Sequence, residues 1–243
     1  MKAWFEAALA SCRLSEEQEG YVVGRGLTFN RVADLGVVGW DADAPDDFAP
    51  DEDFRERHGG RGQRLDGNLA FPLRSPTGEL IGVEFRRWDR KQVSQHLLPP
   101  ASWNPVFVGL TPSAMRRLWD GGDVWIVEGV FDMGAMENVV PSRDVVLGTL
   151  RARLSDAHVD FLRRFCRGKV FMVYDNDETG RKQTHGYVDE EGKHRWGALR
   201  KLERVKLPCR DVPYTGGKDP GQIWEQTGTP GLRRAFGTLF QPR

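Results

Sequence analysis

At 243 residues the chain suits one large domain or two small ones. Its 35 Lys plus Arg balance 35 Asp plus Glu, so bulk positive charge does not announce a nucleic-acid binder. No apolar run has the length of a transmembrane helix, and Met1-Lys2-Ala3-Trp4-Phe5-Glu6 lacks a signal peptide's pattern. Cys12, Cys166 and Cys209 are scattered without zinc-ligand spacing; a cytoplasmic protein with no disulfide framework, no zinc site and no membrane partner is expected.

In chain order, residues 3 to 35 read as helical. Ser15-Glu16-Glu17-Gln18 resembles a helix start, and Thr28 is placed to cap a short helix through Leu35. Gly36 to Pro50 is rich in Gly, Asp and Pro and reads as a connector. Asp41 to Glu56 is strongly acidic, whereas Arg61 to Lys91 is basic; the pattern suits either a hidden basic groove or two solvated faces. Asn68–Leu73 and Leu80–Phe85, joined by Ser75-Pro76-Thr77-Gly78, predict a β-hairpin that ends in Arg86 and Arg87.

From Gly122 the pattern becomes β, α, β, α, β. Strands are predicted at Val124–Val127, Asp144–Leu147, Lys169–Tyr174 and Arg204–Leu207. Helices are predicted at Phe131–Asn138, at Ser155–Phe165 and before Leu202. This alternation predicts an α/β fold with a mainly parallel sheet between helices. His185 to Arg195 looks like an inserted hairpin or loop.

Two acidic motifs follow predicted strands: Glu128-Gly129-Val130-Phe131-Asp132 and Asp175-Asn176-Asp177-Glu178-Thr179-Gly180. Open α/β sheets place ligands at the C-terminal ends of their strands. Carboxylates converging there repel one another unless a divalent cation joins them, and hard oxygen donors suit Mg²⁺ or Mn²⁺. Asp175 and Asp177 lie on one side of an extended segment, so they can share a metal. Glu128 can complete that site or act as a general acid or base. Asp132 either lines the site or begins a helix whose dipole its charge suits.

The order of these motifs resembles the catalytic core of DnaG-like bacterial and phage primases. The resemblance runs from Asp66-Gly67-Asn68-Leu69-Ala70-Phe71-Pro72-Leu73-Arg74 through Gly78-Glu79-Leu80-Ile81-Gly82-Val83-Glu84-Phe85-Arg86 and Gln95-His96-Leu97-Leu98-Pro99-Pro100. It continues with Val127–Asp132, Leu147-Gly148-Thr149-Leu150, Tyr174–Gly180 and Gly217-Lys218-Asp219-Pro220. It implies a Toprim-type parallel sheet over residues 120–243 with a C-terminal helical extension. Residues 1–119 would form a helical and β-hairpin subdomain bearing a basic groove. It further implies Asp175 and Asp177 as metal ligands, Glu128 as an essential acid in the same metal site, and Asp219 as an acid near a second metal. Residue by residue, Asp219 is also readable as a turn residue before Pro220.

The implied activity is that of a DNA-directed RNA polymerase of the primase type. It would join ribonucleoside triphosphates on a single-stranded DNA template with Mg²⁺ or Mn²⁺. Arg74, Arg86, Arg87, Lys91 and Lys218 are then candidates for template phosphates or the triphosphate, and Trp88 and Trp103 for base stacking or for packing. Gln95 stands where the family often has Lys, and Gly221 where many relatives carry a second acid. No Cys/His set of a zinc module is seen, so a zinc-binding helper or a helicase in trans is expected. A compact core of phage or mobile-element type fits these departures. A Toprim nuclease and a non-catalytic DNA-binding adaptor of the replication machinery are the competing functions.

Overall fold

A computed structural model describes residues 2–40, 68–88, 93–97, 107–150 and 153–240. Helix α1 (Lys2–Ser11) is followed by α2 (Glu16–Gly24), which begins in a reciprocal cap. Ser15 Oγ accepts from Gln18 N at 3.2 Å, and Gln18 Oε1 accepts from Ser15 N at 3.0 Å. Thr28 caps α3 (Phe29–Leu35), which ends at Gly36 with φ 66°.

The chain then enters a four-stranded antiparallel sheet: β1 (Val38–Gly39), β2 (Asn68–Arg74), β3 (Leu80–Arg87) and β4 (Val93–Leu97), in that spatial order. The predicted hairpin is β2–β3. Val38 and Gly39, read from sequence as connector, add an edge strand, because two residues between turn signals carry no period to detect. The acidic 41–56 run lies outside the described residues.

The second sheet is wholly parallel. Helix α4 (Pro112–Trp119) leads to β5 (Val124–Val127), α5 (Val130–Glu137), β6 (Val145–Gly148), α6 (Asp156–Phe165) and β7 (Val170–Met172). Then follow α7 (Glu178–His185), the hairpin β8 (Gly186–Val188) and β9 (His194–Trp196), α8 (Ala198–Arg204), β10 (Cys209–Asp211) and α9 (Pro220–Ala235). The sheet order is β10-β7-β5-β6. The last strand corrects the expectation at Arg204–Leu207. Those residues end α8 in a Schellman turn, with Leu207 N on Leu202 O, Lys206 N on Glu203 O and Lys206 at φ 60°. Leu207 is buried, so its apolar signal was real, but it belongs to the turn that precedes the strand.

Strand parity sends side chains to two cores. Trp125, Val127, Val146 and Phe171 pack with Phe131, Met133, Ile223 and Leu232, and in the same cluster with Val22, Leu27, Leu69 and Phe71. Val124, Ile126, Leu147 and Met172 pack on the other face with Leu118, Phe161, Leu162 and Leu202. The two sheets lie on either side of residue 120 in the chain, and the first cluster joins them. A further core, Phe5, Leu9, Trp40, Val83 and Phe85, seats α1 on the antiparallel sheet. No helix among the described residues is long and apolar enough to cross a membrane.

Candidate active site

The acids gather where β5 and β7 end and three helices begin. Glu128 follows Val127 directly, and Asp175 lies three residues beyond Met172. Asp132 sits in the first turn of α5, Asp177 is the N-cap of α7 and Asp219 the N-cap of α9. The helix N-termini bring backbone N–H groups and positive dipole ends to a cluster of carboxylates. Gly180 makes the tight entry to α7 possible, since a Cβ there would run into the Asp175 carbonyl.

Individual oxygens have distinct partners. Asp177 Oδ1 accepts from Gly180 N at 2.9 Å, and Asp219 Oδ1 from Gln222 N at 2.6 Å. Glu128 Oε1 accepts from Asp175 N at 3.2 Å. Asp132 takes two backbone donors, Gly129 N and Gly221 N, both at 3.0 Å. It therefore begins its helix and faces the other acids at once. The remaining oxygens of Asp175 and Asp177 turn toward a single cation: Lys218 Nζ lies 3.1 Å from Asp175 Oδ2 and 3.2 Å from Asp177 Oδ2.

Electrostatics follow from this crowding. Loss of solvent, then the charge of Asp175, pushes the Glu128 carboxyl up to about 7. Desolvation, then Asp219 and Asp175, raises Asp132 to about 7 as well. Burial also raises Asp175, despite its hydrogen bond to Lys218. Asp177 is held below the usual range, chiefly by the Gly180 N–H. Its hydrogen bonds to Asp175 and Asp177 raise Lys218 further above the ordinary lysine value.

A second cation arrives from the antiparallel sheet. Arg86 Nε donates to Glu84 Oε1 at 2.6 Å, and its guanidinium lies 5.1 Å from the Phe131 ring centroid and beside Gly129. Glu84 is almost fully buried, at 1% exposure, so its charge is committed to such partners. Sequence reasoning passed over Glu84. The signal was present: one carboxylate within an apolar strand, two residues before Arg86 and so on its face of the sheet. Tyr214 was also missed; its hydroxyl lies 2.8 Å from Lys218 O and 3.1 Å from Tyr174 O, under the loop that carries Lys218.

The other candidates are placed differently. Arg74 forms a two-point pair with Glu6, at 2.8 and 2.9 Å. The register Asn68↔Arg87 and Arg74↔Leu80 puts it at the opposite end of the hairpin from Arg86, roughly 20 Å along the strands. Arg87 ends β3 beside Arg86. Trp88 packs against Tyr21, with centroids 6.4 Å apart. Lys91 and Trp103 lie outside the described residues, as does the Gln95 side chain.

Among the described residues no three Asp, Glu, His or Cys side chains converge closely enough to hold a metal ion. Of the residues expected to hold such an ion, Glu128, Asp177 and Asp219 each turn one oxygen to a backbone N–H group, and Asp175 and Asp177 both face Lys218. Asp175 and Asp177 nevertheless fit one, since their Oδ2 atoms already share a positive centre. At Gly221, a Cβ would stand 3.0 Å from Asp132 Oδ1, so a larger residue would press on that carboxylate.

The fold has counterparts among solved structures. The chain superposes on a DnaG primase catalytic domain bound to ssDNA with a TM-score of 0.69 at 17% identity, covering 96% of this chain and 77% of that one. The Aquifex aeolicus primase zinc-binding and RNA polymerase domains give 0.67 at 17% identity, covering 97% and 60%. The fold is that of a DnaG-type primase core. The primase fragment of bacteriophage T7 primase-helicase matches more loosely, with a TM-score of 0.55, 16% identity and coverage of 88% and 72%.

Sequence comparisons agree with that primase-core fold. Residues 125–222, which include Glu128, Asp132, Asp175, Asp177 and Asp219, match the Toprim-like family model. The DNA primases of Deinococcus radiodurans and Listeria monocytogenes are each 23% identical over 176 and 179 residues, 71% of this chain. The chain spans about a quarter of the length of these curated relatives, 28% and 26%.

Proposed function

We propose that the chain is the catalytic core of a DNA primase, making short RNA on single-stranded DNA from ribonucleoside triphosphates. The observation that carries this reading is the direction of Asp175 Oδ2 and Asp177 Oδ2 toward one cation at the C-terminal edge of the parallel sheet. Arg86 reaches that edge from the antiparallel sheet. Residues 1–119 would guide the template, and residues 120–243 would carry the chemistry.

Asp175 and Asp177 would hold Mg²⁺ or Mn²⁺, with Asp219 contributing at a neighbouring position. When bound, such an ion supplies Lewis-acid polarisation of the α-phosphate and favours the 3′-hydroxylate. Glu128, whose carboxyl burial raises in the metal-free protein, is placed beside these ligands as the candidate acceptor of the 3′-hydroxyl proton. Arg86 and Lys218 offer donors for phosphate oxygens, and Arg87 and Lys91 are further candidates for template phosphates. Asp132 braces the cluster. A phage or mobile-element origin and a partner helicase fit this assignment.

The test incubates the intact chain with single-stranded DNA, four labelled ribonucleotides and Mg²⁺ or Mn²⁺, beside an Asp175→Asn/Asp177→Asn control. Short RNA products lost in the control support the reading. A cut template would assign a Toprim nuclease instead, and metal-independent DNA binding with neither product would assign an adaptor.

A further inference from the structure

The position of Lys218 carries a consequence for how the site is loaded. Its backbone is fixed on several sides: Lys218 O accepts from Asn176 N at 2.6 Å and lies 2.8 Å from the Tyr214 hydroxyl, and Lys218 N donates to Gln222 Oε1 at 2.8 Å. The side chain, by contrast, is 55% exposed and ends between two carboxylates that are 15% and 37% exposed. The loop is anchored while the ammonium can swing into solvent without moving it.

We propose that Lys218 is a resident counter-cation: its ammonium occupies the point between Asp175 and Asp177 that a divalent ion takes, and it vacates that point when the ion binds. The inference rests on the primase-type reading of the site and adds a means by which its metal affinity is set. An ammonium and a small divalent ion cannot hold that point together, since such an ion draws carboxylate oxygens to about 2.1 Å. A metal must therefore compete with an existing pair of charge-assisted hydrogen bonds and then tolerate a displaced positive charge nearby. In return, the ammonium keeps Asp175 and Asp177 from repelling each other when no metal is bound. Once displaced, it stands at the mouth of the site as a donor for an incoming polyphosphate. The covalent structure is unchanged; the exchange is of one cation for another.

The experiment measures Mn²⁺ binding to the intact chain by the electron paramagnetic resonance of free Mn²⁺. Wild type is compared with Lys218→Met, Lys218→Gln and Asp175→Asn/Asp177→Asn, with circular dichroism confirming that each is folded. Removing an exposed competitor worth one ordinary surface pair should tighten Mn²⁺ binding roughly fivefold in both Lys218 variants. In parallel, acylation of Lys218 by a small amine-reactive reagent, read by mass spectrometry, should speed up when wild type is saturated with Mg²⁺. It should already be fast, and insensitive to Mg²⁺, in the doubly substituted protein.

Unchanged or weaker Mn²⁺ binding in both Lys218 variants, or labelling indifferent to Mg²⁺ in wild type, would overturn the exchange. The underlying reading is separable. If the double substitution abolishes metal binding and RNA synthesis while the Lys218 variants bind as wild type, the primase assignment stands and the exchange falls. If the Lys218 effects appear as expected but no RNA is made by wild type, the exchange stands and the assignment falls.

Discussion

Asp132 ties α5 to α9 through Gly221: one carboxylate oxygen accepts from Gly221 N and the other from Gly129 N, each at 3.0 Å. The contact joins residues 89 positions apart and sets the first turn of α9, hence Asp219 and the Lys218 loop, against the end of β5. Asp132→Ala strands both N–H groups and should destabilise the fold by about 1–3 kcal/mol, whereas Asp132→Asn keeps one acceptor and should cost less. Urea denaturation of the metal-free protein checks this; equal stabilities for the three proteins would deny the bracing role.

Asp177 does two things, and substitutions can separate them. Its Oδ1 caps α7 and its Oδ2 faces the shared cation. Asp177→Asn retains an N-cap, so its melting temperature should stay near wild type while RNA synthesis falls by about a hundredfold or more. Asp177→Ala should lose activity and, in addition, about 1 kcal/mol of stability. A fully active Asp177→Asn protein would remove this carboxylate from the chemistry.

Glu84 aims Arg86 across the boundary between the sheets. Arg86→Ala should reduce RNA synthesis at least about tenfold, and Arg86→Lys should not restore it, because an ammonium cannot reproduce the guanidinium's placement over Phe131 and beside Gly129. Glu84→Gln keeps the shape and an acceptor for Arg86 but removes the negative charge, giving a smaller loss seen mainly as a raised KM for ribonucleotides. Steady-state synthesis at varied nucleotide concentration provides the comparison.

The raised carboxyl of Glu128 makes metal-free stability depend on pH. A carboxyl whose folded pKa is about 7, against an ordinary value of 4.5, binds its proton more tightly in the folded state. Its contribution is fully present below the ordinary value and is lost as pH rises through about 7. Melting temperatures in chelator should therefore decline between roughly pH 4.5 and 7, and Glu128→Gln should flatten that decline. A slope identical in wild type and Glu128→Gln would place the effect elsewhere, for example at Asp132 or Glu137, whose carboxyls burial also raises.

Much of the fold was legible because it is written locally. Val124–Val127 is a short apolar run closed by an acid and a glycine, Ser15 and Thr28 sit where caps belong, and Ser75-Pro76-Thr77-Gly78 can hardly be other than a turn. Even the 185–195 insertion showed itself and proved to be the β8–β9 hairpin. Failures came where local signal and final location part company: Leu207 is apolar yet turns a corner, and Val38-Gly39 pairs only because β2 lies beside it.

By itself, then, the sequence determined which carboxylates stand at strand and helix ends, since a strand's exit and a helix's first turn are set by a few neighbouring residues. Tertiary structure alone decided what each acid faces. That Lys218 stands between Asp175 and Asp177, that Glu84 steers Arg86 to Gly129, that Arg74 is taken by Glu6, and that Arg31 pairs with Glu137 all follow from how two sheets and their helices close on a shared core. Such pairings depend on distances across the folded chain, which residue order does not encode locally; the charge partners, and with them the proton affinities of the site, appear only when the packing is complete.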